Sequence, residues 1–310
     1  MRTFFREALK RKNIIFQEHV KTADLCTFRI GGACRYLIEP QCIGELVEAI
    51  LLCEHEGIPY EVIGGGSNLL FADAVMPIAL IRTTALNGVL VQNGELISSC
   101  GMFLPCLAQR VARLGFSDLA FACGIPGTLG GGIYMNAGAH GKDLGSLVKW
   151  VEVLYPKTGK IRTLFNKELS YSYRDSVFQH KNVLALRACL ALCNPLDFDA
   201  VKAQMRALLA HRKTTQPIHL PSAGSVFKRA SGNISIGKIL DELGLKGMRC
   251  GNAAISEKHA GFIVNLGGAT ATDVCTLINR IKGIVKKEKG FEPITEIRFV
   301  GFEECRSADN

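Results

Sequence analysis

Apolar residues recur every three or four positions from Ile43 to Glu56, which predicts a helix with one buried stripe, and Gly57-Ile58-Pro59 ends it. The next apolar run, Tyr60-Glu61-Val62-Ile63, reads as a short strand leading into Gly64-Gly65-Gly66-Ser67-Asn68. Further strands are predicted at Ile78 to Arg82, Val89 to Gln92 and Leu96 to Cys100, and a helix from Leu104 to Leu114, stopped by Gly115. Lys149 to Leu154 and Ile161 to Leu164 form the two arms of a hairpin about Pro156-Lys157-Thr158-Gly159, and Val183 to Leu192 reads as another strand. After Asn194-Pro195 the rhythm changes. A stretch rich in Ala, Leu, Lys and Arg predicts a helix from Phe198 to about Thr214. A loop over 217–224, a strand and a helix at Ile236 to Leu243 follow. Strands around Ile255 and at Phe262 to Val264, a helix at Ala271 to Lys287 and a last strand at Glu296 to Phe302 complete the chain. The reading is α+β throughout, with a boundary near 196: a first domain over 1–196 and a smaller one over 197–310.

Composition agrees with two packed domains, since 48% of the 310 residues are hydrophobic and only 21% charged. The balance of charge, 37 − 28 = +9, favours an anionic partner. The densest basic runs, Lys10-Arg11-Lys12 and Lys286-Lys287-Glu288-Lys289, carry no interleaved aromatics. They read as solvated helix faces, not as a nucleic-acid groove, and a phosphate-bearing cofactor or substrate fits the sign equally well. The 12 cysteines show no C-x-x-C pair and no disulfide framework, so neither a metal nor a redox pair is expected. Met1 to Lys12 is charged and helix-like, without an apolar stretch for export, and no apolar run approaches a membrane span. The expectation is a cytoplasmic protein of a reducing compartment, with no membrane or nucleic-acid partner.

Two glycine clusters carry the candidate chemistry. Gly64, Gly65, Gly66, Ser67 and Asn68 directly follow a strand, and consecutive N–H groups of that kind suit a diphosphate. The spacing is neither the dinucleotide G-x-G-x-x-G, since position 69 is Leu, nor a P-loop, and a plain tight turn is the alternative. The second cluster runs from Cys123 to Gly132 through Gly124-Ile125-Pro126-Gly127, with Asn136-Ala137-Gly138-Ala139 close behind. It reads either as a second loop gripping a phosphate or ring, or as glycine that permits close packing.

These two clusters together resemble the FAD domain of the vanillyl-alcohol-oxidase (PCMH) type. Five further motifs occur in order: Thr27-Phe28-Arg29-Ile30-Gly31-Gly32, Tyr171-Ser172-Tyr173-Arg174-Asp175-Ser176, Ser222 to Lys228, Lys258 to Asn265 and Glu296 to Gly301. With them the chain, from about 20 to 302, resembles the UDP-N-acetylenolpyruvoylglucosamine reductase family of bacterial cell-wall synthesis, in its shorter branch. The resemblance implies a PCMH-type FAD-binding domain made of two α+β subdomains, followed by a smaller α+β substrate-binding domain. It implies non-covalent FAD, NADPH as co-substrate, a UDP-sugar enolpyruvate as substrate, and a monomer. It assigns Gly64 to Asn68, Gly124 to Gly127 and Asn136 to Gly138 to FAD. It assigns Arg174, beside Tyr173, to the substrate carboxylate, Ser225 to proton donation, Glu296 to polarisation or relay, and Lys228 to the diphosphate.

The chemistry suits those residue types. Hydride addition to an enol ether conjugated to a carboxylate builds charge that needs a fixed cation and an acid. Arg174 offers a permanently charged fork. Taken alone, Arg174 is a strand-end arginine with a surface partner, Ser225 a loop serine and Glu296 half of a salt bridge with Arg298; only the motif makes them functional. Arg229-Ala230 follows Lys228 where many of these reductases have Asn-Pro. His140 and His259 read as structural. Two rival readings stand beside this one: an oxidase of the same superfamily acting on a small alcohol or sugar, and a basic nucleotide- or nucleic-acid-binding protein.

Overall fold

A computed structural model describes residues 2–92 and 94–302. They form two compact units, neither of which is a single stretch of chain. The first comprises the residues up to Glu18, Tyr36–Gly65 and Ile78–His211; the second comprises His19–Arg35, Gly66–Pro77 and the chain from Arg212 onward. The hydropathy pattern suggests one cut near 196, whereas the contacts divide the chain after His211 and give two early segments to the second unit. The reason lies in strand pairing. Leu69–Phe71 runs parallel to Arg298–Val300, with Leu69 opposite Arg298 and Phe71 opposite Val300. A three-residue strand leaves no periodic signature, so nothing local marks the segment as a partner of the far end of the chain.

The first unit has two α+β parts. In one, the helices Arg2–Arg11 and Ile43–Glu56 lie on a sheet ordered Phe16–Lys21, Ala33–Ile38, Val75–Arg82, Tyr60–Ile63. Leu46, Ala49, Ile50 and Cys53 face inward from the second helix, against Phe5, Leu9, Tyr36, Ile38 and Ile81. That helix spans the residues its periodicity marks, because the chain supplies both ends: Cys42 Sγ accepts from Glu45 N–H, and Gly57 closes it in the left-handed region at φ 62°.

The other part is an antiparallel sheet ordered Lys160–Phe165, Val148–Tyr155, Leu184–Ala191, Glu95–Ser99, Val89–Gln92. The expected hairpin is present, with Tyr155 opposite Lys160. Three helices share its core: Leu104–Arg113 through Leu107 and Val111, Leu129–Tyr134 through Leu129 and Ile133, and Phe198–Thr215 through Val201 and Met205. The short helix Leu129–Tyr134 has no counterpart among the predicted elements, because three successive glycines erase its periodicity; Thr128 starts it by accepting from Gly131 N–H.

In the second unit an antiparallel sheet is ordered Ser222–Ser225, Phe262–Asn265, Ala253–Ile255, Arg249–Cys250. The helix Ala271–Lys289 buries Val274, Leu277, Ile278, Ile281 and Val285. Thr270 and Asp273 form a reciprocal cap at its start, and the Asp73 carboxylate accepts from the N–H groups of Ala271 (2.7 Å) and Thr272 (3.0 Å). Asp73 thereby ties the early segment 66–77 to this helix. Among the described residues no helix is long and apolar enough to cross a membrane.

Candidate functional site

In the first unit Gly64 and Gly65, the start of the first glycine cluster, meet the second cluster. A Cβ placed on Gly64 would stand 2.1 Å from Thr128 Oγ1, and one on Gly65 would stand 2.9 Å from Phe103 Cε1 and 3.4 Å from the carbonyl oxygen of Pro126. The backbone at 64–65 therefore lies flat against the turn 126–128, an approach that any side chain would prevent. Gly127 C=O accepts from Leu104 N–H at 2.8 Å, which fixes the second loop to the helix Leu104–Arg113, and Ile125 N–H donates to Ala122 C=O at 3.0 Å. Gly124 closes the short helical turn Ala120–Gly124. Among the described residues none accepts a hydrogen bond from the N–H groups of Gly64 to Asn68. Backbone donors of this kind suit a diphosphate group.

Asn136 sits at φ 42°, in the left-handed region that asparagine tolerates best after glycine, and is 3% exposed. Its side chain is committed within the protein: Nδ2 donates to Ser172 C=O (2.8 Å) and Oδ1 accepts from Gly145 N–H (2.8 Å). Its backbone is engaged as well: its N–H donates to Ile133 C=O at 3.3 Å.

Arg174 is not at the end of a strand. It occupies the third position of a tight turn closed by Ser172 and Asp175, with φ 54°. A bulky residue there is strained, and the surroundings compensate. The guanidinium donates to Asn136 C=O (3.3 Å) and Gly138 C=O (3.0 Å) and lies 5.2 Å from the centre of the half-exposed Tyr173 ring. Tyr171 packs its ring on Gly145 instead. Its buried hydroxyl has no hydrogen-bond partner among the described residues, and burial pushes the phenol above its ordinary pKa.

The second unit gathers most of the remaining motif residues. Ser225 ends its strand opposite Phe262, with Lys228 three residues on, where Lys228 N–H donates to Ile294 C=O at 2.9 Å. Glu296 precedes the last strand, which is Arg298–Val300 and not Glu296–Phe302. It is held from both sides: its N–H donates to Val226 C=O (2.7 Å), and its C=O accepts from Asn68 Nδ2 (3.1 Å). Thr27 Oγ1 donates to Ser222 C=O (2.7 Å), and Thr27 N–H to Gly66 C=O (3.1 Å). Gly66, Ser67 and Asn68 thus belong with Ser225 and Glu296 in this unit, while Gly64, Gly65, Gly124 to Gly127, Asn136 to Gly138, Tyr173 and Arg174 belong to the first.

Sequence reasoning missed two residues that hold these loops. Thr128 is buried and caps a helix while touching the Gly64 backbone; a threonine before a glycine run was the available signal. Asn265, also buried, donates to the carbonyls of Phe28 and Arg29 and accepts from Gly267 and Ala269 N–H. Phe28 and Arg29 lie more than two hundred residues away in the chain, and no local pattern announces them.

Two family models match the chain: UDP-N-acetylenolpyruvoylglucosamine reductase, C-terminal domain, over 216–300, and an FAD binding domain over 34–164. The chain is 38% identical over 296 residues to a UDP-N-acetylenolpyruvoylglucosamine reductase of Caldanaerobacter subterraneus subsp. tengcongensis, covering 96% of each. It is 40% identical over 273 residues to that of Thermotoga maritima, covering 87% of this chain and 94% of the other. The crystal structure of UDP-N-acetylenolpyruvylglucosamine reductase from Thermus caldophilus superposes with a TM-score of 0.77 at 31% identity, covering 92% of this chain and 99% of that one.

Proposed function

We infer how this chain works from one premise: it belongs to the UDP-N-acetylenolpyruvoylglucosamine reductase family. It is an FAD-dependent oxidoreductase of peptidoglycan precursor synthesis, with NADPH as reductant and UDP-N-acetylglucosamine enolpyruvate as substrate. The hydride chemistry that links NADPH to the β-carbon of the enolpyruvyl ether would be supplied by bound FAD.

The residue roles are our reading. Gly64 to Asn68, Gly124 to Gly127 and Asn136 to Gly138 hold FAD. Arg174, fixed by two carbonyls and stacked on Tyr173, binds the substrate carboxylate as charge builds beside it. Ser225 gives its hydroxyl proton to the α-carbon and regains one from solvent. Glu296 polarises the carboxylate or relays that proton, and Lys228 meets the diphosphate. Flavin binding falls to the N-terminal part, 1–196 by sequence, and substrate binding to the C-terminal part, 197–310. The working form is a monomer, since every proposed role is filled from one chain. It acts in the cytoplasm, where NADPH and nucleotide sugars are made.

The observation that carries these roles is the grouping of Ser225–Val226, Glu296 and Asn68 through hydrogen bonds between residues as far apart as 228 positions. Ser225→Ala tests it, with the half-reactions followed separately. Reoxidation of reduced flavin by substrate should slow by about a hundredfold or more, the scale of general acid catalysis, while NADPH still bleaches the flavin. Equal slowing of both halves would make Ser225 a residue that places the flavin, and the reading would fall.

A further inference from the structure

His259 lies outside every role assigned so far, yet a chain of backbone hydrogen bonds connects it to both residues proposed to act on the substrate. Gly261 N–H donates to His259 Nδ1 at 3.0 Å. The carbonyl of the same Gly261 accepts from Val226 N–H at 2.9 Å, and Val226 C=O accepts from Glu296 N–H at 2.7 Å. The imidazole therefore stands at one end of three linked peptides, with Ser225 preceding the second and Glu296 at the far end. Side-chain proximity agrees. A Cβ built on Gly261 would lie 2.9 Å from His259 Cε1, 3.1 Å from Nδ1 and 3.3 Å from Ser225 Oγ. The imidazole and the serine hydroxyl thus border the same glycine.

The ring has little freedom. Ser256 Oγ accepts from His259 N–H (3.4 Å) and Lys258 N–H (3.1 Å), shaping the turn that carries it. Phe262 packs edge-on at 4.9 Å between centroids, and Gly237, in the first turn of the helix Ile236–Glu242, admits Cε1 where a Cβ would be 3.0 Å away. A backbone N–H can only donate, so Nδ1 carries no proton and the neutral ring holds its hydrogen on Nε2.

We propose that His259 is a positioning residue for substrate protonation: its neutral imidazole fixes the Gly261 peptide, which fixes Val226, and through it sets Ser225 and Glu296. The inference rests on the reading of Ser225 as proton donor. Protonating the ring removes the acceptor and releases the first link. Burial lowers the pKa of His259 below its ordinary value, so the neutral form persists into mild acid. The charged groups around it are Lys246, which lowers the pKa, and Asp241, which raises it. These two are ion-paired at 2.8 Å and act on the ring in opposite directions. Lys238 and Glu242 lie on the same helix as Asp241, and Glu257 and Lys258 flank the ring's own turn.

The test follows reoxidation of the flavin-loaded, NADPH-reduced enzyme by substrate across pH. Wild type should show an acid limb displaced to below about 6.5, the ordinary histidine value, because the ring stays neutral into mild acid. His259→Phe keeps a ring but no acceptor, and should slow reoxidation about tenfold or more, as small misplacements of reacting groups do. His259→Asn restores an acceptor near Nδ1 that does not titrate, and should recover the rate to within about threefold while losing the acid limb. Independently of turnover, side-chain ¹⁵N NMR should find His259 with hydrogen on Nε2 and a depressed pKa. Normal reoxidation in His259→Phe, equal slowing of both half-reactions, an unchanged acid limb in His259→Asn, or the Nδ1–H tautomer would each overturn the proposal. If Ser225→Ala itself reoxidises normally, the underlying reading fails; if Ser225→Ala is slow and His259→Phe is not, only the present inference fails.

Discussion

Asn136 offers a sharp test of how the first unit holds its ligand loops. Replacing it with Ala removes two hydrogen bonds of 2.8 Å at a position only 3% exposed. The two abandoned partners are not equivalent. Gly145 is buried, so its N–H loses its acceptor without gaining water, at about 1–3 kcal/mol. Ser172 C=O still accepts from Asp175 N–H at 3.3 Å, so losing the Asn136 donor costs it little. Alanine at φ 42° adds about 1 kcal/mol of left-handed strain that asparagine largely escapes. The sum is roughly 2–4 kcal/mol, a large share of the 5–15 kcal/mol that holds a typical domain. Urea unfolding of flavin-free protein, followed by the fluorescence of Trp150 in the same unit, measures it. Asn136→Gly separates the two parts, since glycine tolerates the dihedral but makes neither bond, and should be about 1 kcal/mol less damaging than Asn136→Ala. Asn136→Asp keeps the acceptor for Gly145 but sets a carboxylate oxygen against Ser172 C=O, and should also destabilise. If Asn136→Ala lies within about 0.5 kcal/mol of wild type, the buried amide is not the fastener the geometry describes.

Two further outcomes follow from burial and capping. Burial holds the thiols of Cys34 at about 11 and Cys53 at about 12, and pushes Cys100 higher still, whereas Cys42 and Cys106 are exposed. Brief treatment with a thiol reagent at pH 8 should label Cys42 and Cys106 and spare Cys34, Cys53 and Cys100 until urea is added; mass spectrometry showing all five labelled together would contradict the burial. Hydrogen bonds from Thr270 and Asn252 hold the Asp273 carboxyl below its ordinary pKa, so its contribution to stability is complete above about 4 and is lost as pH falls through the depressed value. Asp273→Asn should flatten that part of the stability–pH curve, and a variant with the wild-type acid slope would show that the cap does not contribute.

How much of this was legible in the sequence depended on the range over which each interaction acts. The helix Ile43–Glu56 was readable because its stripe, cap and stop are all local. The glycine clusters were readable as sites of close backbone approach, and Gly64 and Gly65 do meet Pro126 and Thr128. The helix Leu129–Tyr134 was not, since its stability comes from burying Leu129 and Ile133 against propensity. The strand Leu69–Phe71 was not, since only its pairing with Arg298–Val300 makes it a strand. Arg174 was named by its motif, but its left-handed turn was not foreseen; strain at a bulky residue is resolved by tertiary contacts that no window of sequence contains.

The same distinction explains which residue types fill the motifs. The carboxylate, hydroxyl and guanidinium expected to act are few, and each is placed by backbone hydrogen bonds: Glu296 through its own N–H and C=O, Ser225 through its neighbour Val226, Arg174 through the carbonyls of Asn136 and Gly138. Placement by backbone needs peptides to approach one another closely, and that requires small residues beside each reactive one. Ala223 and Gly224 precede Ser225, Ala260 and Gly261 lie across from it, and Gly138 lies under Arg174. Enlarging one of these small residues should therefore disturb function as surely as removing a charged one. Gly261 is the clearest instance, because a methyl group there would press on the serine hydroxyl and the imidazole at once. The motifs are rich in glycine and alanine because the chemistry is carried by a handful of side chains and their geometry by the main chain around them.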